Sequence, residues 1–302
     1  MVTKRGIWIA MASLLVLSCV ASLGSCRPVP DECLNQVRIA SWNIRMFRSD
    51  NRTDEELGTI AEVLSQFDLV VIQEVFDLAV LDSILRQLES LGQSYDVLVS
   101  PVVDSSTRGE RFAFLYRTDT VVPLGRASPC PDPGGLFIIR PFAASFRAGA
   151  FDFTLIAVHL IGLSERHSDR IAQIEAQIEA LADVFAEVQD VSAAEQDVLL
   201  IGDFNRIPYH ESFQGLRGRG VVPLLDCGPG KCKCKLWATT IEDRYQVPLD
   251  NMWFQPAHVR ELCGKGVDRF DEMLFGNDDQ LAMGVSDHRP VWATFHTCID
   301  DD

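Results

Sequence analysis

Five short polar segments carry the side chains that could do chemistry in this chain of 302 residues. Each segment stands at the end of an apolar run that is typical of a β-strand, and side chains at strand ends can converge at one edge of a sheet. Acids, amides and imidazoles gathered in this way could bind a divalent metal ion and cleave phosphate esters. The segments are Trp42-Asn43, Gln73-Glu74, the lone His159, Gly202-Asp203-Phe204-Asn205 and Ser286-Asp287-His288.

The acidic segments favour a metal site because hard divalent cations prefer carboxylate oxygens. Glu74 ends a run of four hydrophobic residues, where an unpaired carboxylate would be costly to bury. The alternative for Glu74 is a solvent-facing strand end, and the alternative for Asp203 is an ordinary Gly-Asp turn. In Asp287-His288, the acid can reach a cation and the imidazole can exchange a proton near neutral pH.

The remaining signals are weaker when each is taken alone. Asn43 could be a turn residue, and His159 could be a core histidine that is bonded to the backbone. Asn205 lies two positions after Asp203, so both side chains can point the same way as the strand ends. Their common placement at strand ends strengthens the functional interpretation of each residue.

The elements that position these segments form an interleaved pattern of strands and helices. A capping box at Thr53-x-x-Glu56 predicts one helix, and an apolar stripe from Ile171 to Val188 predicts a long helix packed on the core. Hairpin-like strand pairs also occur, which favours two sheets packed face to face with helices outside. The predicted strands span residues 37–44, 68–75, 95–100, 112–117, 151–159, 197–203, 248–254 and 291–295, and a further helix covers residues 78–88.

The composition indicates a large core and an acidic surface. Hydrophobic residues make up 47% of the chain, which is ample for one large domain. The net charge of −16 argues against a basic face as the means of binding nucleic acid. An acidic protein that acts on phosphates would need metal ions to offset their charge.

The first residues of the chain are typical of an export signal. Lys4 and Arg5 precede an apolar stretch from Ile7 to Leu23. Leu23-Gly24-Ser25-Cys26 resembles a bacterial lipobox, in which the cysteine is lipidated after cleavage. We therefore expect residues 1–25 to be a lipoprotein-type signal peptide and residues 26–36 to be a tether. The expected location is the cell surface or the periplasm, held by a lipid on Cys26; plain secretion and a retained membrane anchor are the alternatives.

Nine cysteines in an exported chain predict disulfide bonds. After removal of Cys19 and lipidation of Cys26, seven would remain, so at least one would be unpaired in a monomer. Zinc binding by the cluster of Cys227, Cys232 and Cys234, with Cys263, is the alternative. The spacing matches no familiar zinc pattern, and we expect a disulfide-linked surface loop between Gly215 and Thr240.

The ordered motifs of the chain resemble those of the endonuclease/exonuclease/phosphatase superfamily, and most closely its deoxyribonuclease I branch. They occur in the order of that family and cover nearly all of residues 37–295. The matching motifs are Ile39 to Arg45, Val71 to Val75, Glu110 to Arg117, Arg140, Ala157 to His159, Ile201 to Asn205, Leu249 to Phe254 and Val285 to Val291.

The resemblance implies an α/β fold in which two packed mixed β-sheets are flanked by helices, a four-layer α/β sandwich over residues 37–298. It implies Mg²⁺ or Mn²⁺ as the catalytic cation, and it allows a structural Ca²⁺ in addition. Glu74 resembles the principal metal ligand of the family, supported by Asn43 and Asp287. The other implied roles are water or phosphate positioning for Asp203 and Asn205, and phosphate binding for Arg140.

The resemblance also implies two catalytic histidines, each oriented by an acid. His159 would be held by Glu110, and His288 by Asp250, since a carboxylate fixes the tautomer of an imidazole and raises its basicity. Asp271 is the alternative partner of His288. Asp250 is preferred because it begins a strand-like run.

The substrate implied by the resemblance is DNA, cut with little sequence preference and without an obligate protein partner. Two positions depart from the deoxyribonuclease I pattern: Phe76 and Arg108 stand where that branch has an arginine and a tyrosine that enter the minor groove. A sphingomyelinase-type lipid phosphodiesterase or a phosphatase on the same fold is therefore the alternative. A catalytically inactive binding protein is disfavoured, because none of the expected catalytic residues is missing.

Overall fold

The computed structural model describes residues 35–104, 109–132, 134–191, 196–228, 234–241, 247–276 and 278–300. The predicted signal peptide, the lipidation site Cys26 and all but the last residues of the predicted tether lie outside these ranges, as does Arg108. Among the described residues, no helix combines the length and apolar character needed to cross a lipid bilayer.

Two sheets of six strands each form the centre of the protein. The first sheet has the order β11-β12-β1-β2-β4-β3 and the second has the order β5-β6-β7-β8-β10-β9, with both parallel and antiparallel neighbours in each. The strands are β1 (Gln36–Phe47), β2 (Leu69–Val75), β3 (Tyr95–Val99), β4 (Arg111–Arg117), β5 (Val122–Pro129), β6 (Phe142–Ala148), β7 (Phe151–His159), β8 (Val198–Asp203), β9 (Val222–Pro223), β10 (Asp250–Phe254), β11 (Leu262–Val267) and β12 (Val291–His296).

Helices cover the outer face of each sheet. α1 begins with the predicted capping box, since Thr53 Oγ1 accepts from the Glu56 amide at 3.2 Å and the Glu56 carboxylate accepts from the Thr53 amide at 2.8 Å. The predicted stripe on α3 is also confirmed, because Ile174, Ile178 and Phe185 are buried. The helices are α1 (Asp54–Leu64), α2 (Ala79–Ser90), α3 (His167–Val191), α4 (Gln214–Gly218), α5 (Phe270–Phe275) and α6 (Asp279–Val285).

Three apolar clusters separate the four layers. The largest lies between the two sheets and contains inward-facing side chains such as Phe114 and Phe153. A second cluster joins the outer face of the first sheet to α1, α2, α5 and α6, and a third joins the outer face of the second sheet to α3 and α4. This arrangement confirms the predicted four-layer α/β sandwich.

The inner face of several strands changes from apolar to polar at one end of the sandwich. In β8, Leu199 and Ile201 belong to the central cluster, and Asp203 occupies the next inner position. Directly beside Asp203 in the sheet registers lie His159 of β7 and Asp250 of β10. The alternation that builds the core therefore also brings these three side chains together.

Gly202 allows β7 and β8 to approach closely just before Asp203. It has a φ of 150°, and a Cβ at this position would lie 1.9 Å from the Val158 carbonyl oxygen. We expect Gly202→Ala to lower the free energy of unfolding by at least about 1–3 kcal/mol, because both the backbone and the neighbouring strand must shift.

Urea unfolding of Gly202→Ala and of Gly58→Ala checks this expectation. Gly58 lies within α1, and a Cβ there would meet nothing within 4 Å, so its replacement should leave stability equal or raise it. Equal midpoints for the two variants would contradict a packing role for Gly202.

Cys227 and Cys234 are joined by a disulfide, as predicted for this surface loop. The zinc alternative is therefore wrong for this cluster. The Cys263 thiol instead donates to the Thr294 carbonyl oxygen at 3.3 Å, and Cys232 lies outside the described residues.

Candidate active site

Two histidines face each other across the end of the sandwich, and each is held by a buried carboxylate. His159 Nδ1 lies 2.7 Å from Glu110 Oε1, and His288 Nδ1 lies 2.8 Å from Asp250 Oδ2. Both acids are fully buried. These contacts fix the orientation of the two rings and leave their Nε2 atoms facing the space between the sheets.

Both Nε2 atoms point toward one oxygen of Asp203. The distances to Asp203 Oδ2 are 3.8 Å from His159 and 3.9 Å from His288. These separations are longer than direct hydrogen bonds. The three groups therefore surround a space in which a water molecule or a phosphate oxygen could be held.

The charges of this cluster shift the pKa of each member. Burial opposes protonation of both imidazoles, but the neighbouring carboxylates outweigh it and raise the pKa of His159 to about 9 and that of His288 to about 10. Burial and the Asp250 carboxylate raise the pKa of Asp203 to about 6, although the two histidines partly offset them. The pKa of Asp203 thus lies within the range that suits an acid–base group.

Glu74 reaches the site through an unusual backbone conformation. Regular alternation along β2 would turn its side chain toward the outer helices, but Glu74 has a φ of 61° and the pairing of β2 with β4 is irregular here. The carboxylate accepts from Asn43 Nδ2 at 3.2 Å and from the Met46 amide at 2.7 Å. Burial would raise the pKa of Glu74, but His159 and these two donors outweigh it and lower that pKa.

Asn43 connects the two halves of the cluster. Its Nδ2 also lies 3.3 Å from Asp203 Oδ2, which places one amide between Glu74 and Asp203. Its Oδ1 is buried and accepts no hydrogen bond from the described residues. A buried amide oxygen without a donor is costly, and a cation would satisfy it.

Asn205 extends the cluster from the end of β8. Its backbone amide donates to Asp203 Oδ1 at 2.8 Å, and its Nδ2 lies 3.2 Å from Asp203 Oδ2. Asn205 has a φ of 49°, a conformation that asparagine tolerates better than most residues. Its side chain therefore lies beside Asp203, as the spacing of the two residues predicted.

The loop that carries Asp287 and His288 is fixed by residues to which sequence reasoning gave no role. Ser286 Oγ donates to the Asn43 carbonyl oxygen at 2.6 Å and accepts from the His288 amide at 3.0 Å. Thr239 Oγ1 accepts from the Asp250 amide at 3.1 Å. The hydroxyl of Ser286 was visible in the motif, whereas no local signal identified Thr239, which follows the disulfide loop.

Three further contacts show where the structure places Asp271, Asp287 and Arg140. Asp271 pairs with Arg289, whose Nε lies 2.8 Å from Asp271 Oδ1, so the alternative that Asp271 holds His288 is wrong. Asp287 is partly exposed and lies 3.9 Å from Arg45 Nε. Arg140 is exposed and its Nε donates to the Cys130 carbonyl oxygen at 2.5 Å.

Within the described residues, no hydrogen bond or ion pair joins Arg140 to the histidine–carboxylate cluster. Its phosphate-binding role therefore stays a prediction. Phe76, two residues after Glu74, is half-buried, and its side chain has no polar group.

The donor set fits a hard divalent cation. Glu74 and Asn43 would hold it, since they present carboxylate and amide oxygens beside the unsatisfied Asn43 Oδ1. Among the described residues, no hydrogen bond or ion pair joins Asp287 to either of them, so its place as a third ligand stays a prediction. Asp203, Asp250 and His288 form a neighbouring group whose ligand atoms lie within 4.8 Å of one another. A bound Mg²⁺ or Mn²⁺ ion would polarise a phosphate ester and offset the charge that develops during its cleavage.

A cavity of about 730 Å³ opens beside this cluster. It shares Asn205, Asp287 and His288 with the site, and it continues toward the first turns of α3. The reacting groups therefore lie at one end of a larger groove rather than in a closed pocket.

Comparisons with known proteins relate most of the chain to one family. The sequence profile described as the Endonuclease/Exonuclease/phosphatase family matches residues 40–288. A deoxyribonuclease from Thioalkalivibrio sp. (strain K90mix) is 30% identical over 279 residues, which cover 88% of this chain and 73% of that protein. Deoxyribonuclease-1 of Canis lupus familiaris is 31% identical over 287 residues, which cover 85% of this chain and 91% of that protein.

The fold is also found among solved structures. A crystal structure of an endonuclease/exonuclease/phosphatase family protein from Bacteroides thetaiotaomicron aligns with a TM-score of 0.61 at 18% identity. The alignment covers 86% of this chain and 97% of that one, so the likeness extends over nearly the whole sandwich.

Proposed function

Because this chain belongs to the endonuclease/exonuclease/phosphatase family, we propose that it is a metal-dependent endonuclease that hydrolyses DNA phosphodiester bonds with little sequence preference. The family membership and the similarity to deoxyribonucleases bear out the resemblance and make the chain a hydrolase of phosphoesters. The choice of DNA, the lack of sequence preference and the use of Mg²⁺ or Mn²⁺ are the proposed parts.

One observation carries the proposal: the Nε2 atoms of His159 and His288 both face Asp203 Oδ2, at 3.8 Å and 3.9 Å. Hydrolysis of a phosphodiester needs one group to take a proton from the attacking water and another to protonate the leaving oxygen. Two imidazoles with separate buried carboxylate partners can divide these tasks. Asn43 and Asn205 can hold the attacking water or the phosphate oxygens beside Asp203.

Nicking of supercoiled plasmid tests the proposal. Purified protein should convert the plasmid to the open circular form with Mg²⁺ or Mn²⁺. EDTA should stop the reaction, because it removes the cation that the oxygen-rich site would hold. Addition of excess Mg²⁺ after EDTA should restore nicking, which separates metal removal from denaturation.

Sphingomyelin and a phosphate monoester should be assayed beside the plasmid under the same conditions. Cleavage of sphingomyelin or of the monoester with an intact plasmid would overturn the choice of DNA and establish the alternative substrate class. Digestion of several unrelated DNA fragments to similar size distributions would support the lack of sequence preference, whereas a few discrete products would contradict it.

We also propose that the protein is exported and held at the cell surface or in the periplasm by a lipid on Cys26. The support is the apolar stretch that ends at Leu23-Gly24-Ser25-Cys26 and the Cys227–Cys234 disulfide, since disulfides persist in oxidising compartments. Labelling of cells with palmitate should mark the wild-type protein and leave Cys26→Ala unlabelled. Equal labelling of the two proteins would exclude this anchor.

A further inference from the structure

Basic side chains line part of the groove beside His288. His167 and Arg170 belong to the first turns of α3, and Arg206 directly follows Asn205. The whole chain has a net charge of −16, so a groove wall with three basic side chains is unusual on this surface. Such a wall would attract a polyanion locally where the rest of the surface repels it.

Arg206 is held in place rather than mobile at the surface. A terminal nitrogen of its guanidinium is paired with Glu175 of α3, and the same nitrogen lies 2.9 Å from His210 Nε2. Its Nε is buried and has no acceptor among the described residues. The guanidinium is thus held in one orientation where it lines the groove, and its terminal N–H groups, not the buried Nε, would bind an anionic oxygen.

Arg170 is the second cation of this wall. Its backbone lies against Gly162, where a Cβ would come within 2.4 Å of the Arg170 carbonyl oxygen, so the preceding loop fixes the first turn of the helix. The Arg170 side chain is exposed, and its Nε makes a long contact of 3.3 Å to the Ser164 carbonyl oxygen. It can therefore turn toward a ligand at little cost.

The rest of the groove suits a sugar more than a bare ion. Apolar side chains of Ile171, Ile207 and Leu249 line it together with the arginines and His288. The volume of about 730 Å³ lies within the range of sites that hold whole small molecules and is far more than one phosphate requires. Its volume and its mixed lining match a nucleotide attached to the reacting phosphate.

We infer that this groove binds the nucleotide next to the scissile phosphodiester, and that Arg206, assisted by Arg170, binds the following phosphate of the same strand. This inference rests on the proposed function and deepens it. It makes the protein selective for polymers, because a small diester cannot reach His288 and the arginines together. It also assigns to Arg206 a role in substrate binding that the motifs of the sequence did not indicate.

Short oligonucleotides test the inference most directly. Thymidine dinucleotides, which contain a single diester, should be cleaved with Mg²⁺ without a terminal phosphate, with a 5′ phosphate and with a 3′ phosphate, and kcat/KM measured for each. In the wild type, the phosphate at one end should raise kcat/KM by about 10-fold or more, as expected for one charge-assisted hydrogen bond. Arg206→Gln should abolish that gain, and Arg206→Lys should restore part of it, since lysine keeps the charge without the planar fork.

Arg219→Gln provides the matched control. Arg219 forms an exposed ion pair with Asp183 on α3, at 3.0 Å, and lies outside the groove lining. This variant should keep the full gain from the terminal phosphate. If Arg206→Gln proves unstable in a thermal melt, Arg170→Gln provides the second test and should reduce the gain as well.

The outcomes separate this inference from the proposed function. A wild type that hydrolyses bis(p-nitrophenyl) phosphate but no oligonucleotide overturns both. A wild type that cleaves all the dinucleotides at equal rates, or an Arg206→Gln variant that keeps the full gain, overturns the subsite and leaves the nuclease intact. Loss of the gain in Arg206→Gln alone, with Arg219→Gln unchanged, establishes Arg206 as a phosphate-binding residue.

Discussion

Replacement of His288 by alanine is expected to lower kcat for plasmid nicking by about 10²–10⁴-fold, the usual cost of losing a positioned acid–base group. The reason lies in the contacts of this ring, which is held by Asp250 at 2.8 Å and faces Asp203 at 3.9 Å. The loss should appear in kcat at saturating DNA, because the ring exchanges protons and does not anchor the strand.

Two further variants sharpen this prediction. Asp250→Asn should also lose activity, because an amide can present the wrong tautomer of His288 to the substrate. His258→Ala is the control, since His258 lies in the segment between β10 and β11, outside the cluster. A His288→Ala enzyme within about 10-fold of wild type would show that this imidazole is not the proton carrier.

Replacement of Glu74 by alanine is expected to remove the response to divalent cations. Glu74 is the carboxylate beside the unsatisfied Asn43 Oδ1, and its low pKa keeps it ionised. Loss of groups that merely support a metal ligand costs about 10–100-fold in metal affinity, so loss of the ligand itself should cost at least about 100-fold. Calorimetric titration with Mn²⁺ measures this directly, and plasmid nicking across a Mg²⁺ series measures its effect on activity.

The two readouts distinguish a ligand from a structural residue. Glu74→Ala should need far more cation for half-maximal activity, and its calorimetric signal should weaken in parallel. Glu62→Ala serves as the control, because Glu62 is exposed on α1 and outside the cluster. Unchanged Mn²⁺ binding in Glu74→Ala, even with lowered activity, would remove Glu74 from the metal site.

Much of this fold could be predicted because its central strands are buried on both faces. Leu69 to Ile72 and Val198 to Ile201 are continuous apolar runs, which identify strands without any structural knowledge. β5 was not predicted, because it is an edge strand with exposed residues, a glycine and two prolines. β6, β9 and β11 were also missed. In β11, Gly266 interrupts the strand pattern, and it is required because a Cβ there would lie 2.5 Å from the Trp292 ring.

The candidate site was predictable where the alternation of inward and outward residues along a strand decides the direction of a side chain. Asp203 and His159 follow the apolar inner positions of their strands, so the pattern places them correctly. This alternation fails at Glu74, whose left-handed backbone conformation turns the side chain opposite to the predicted direction. The sequence could not reveal this, because glutamate has no particular preference for such a conformation.

The strand-like run that begins at Asp250 is a weak sequence signal, but it identified the correct partner of His288 over Asp271. Both acids adjoin apolar runs, but only Asp250 begins a strand of the second sheet and so points to the interior at its first residue. Asp271 lies in the first turn of α5 and pairs with Arg289. Arg206 gave no signal of this kind, because its role depends on Glu175, a residue distant in sequence on α3.

The shared alternation of core and site limits where this protein can change in length. Insertion of one residue between Leu199 and Asp203 would turn the acid away from His159 and into the apolar layer between the second sheet and α3. Insertions and deletions should therefore be tolerated best in the connections outside the strands, such as the segment joined by the Cys227–Cys234 disulfide. Relatives can diversify in these loops, and hence in what they bind, while the reacting groups keep their places.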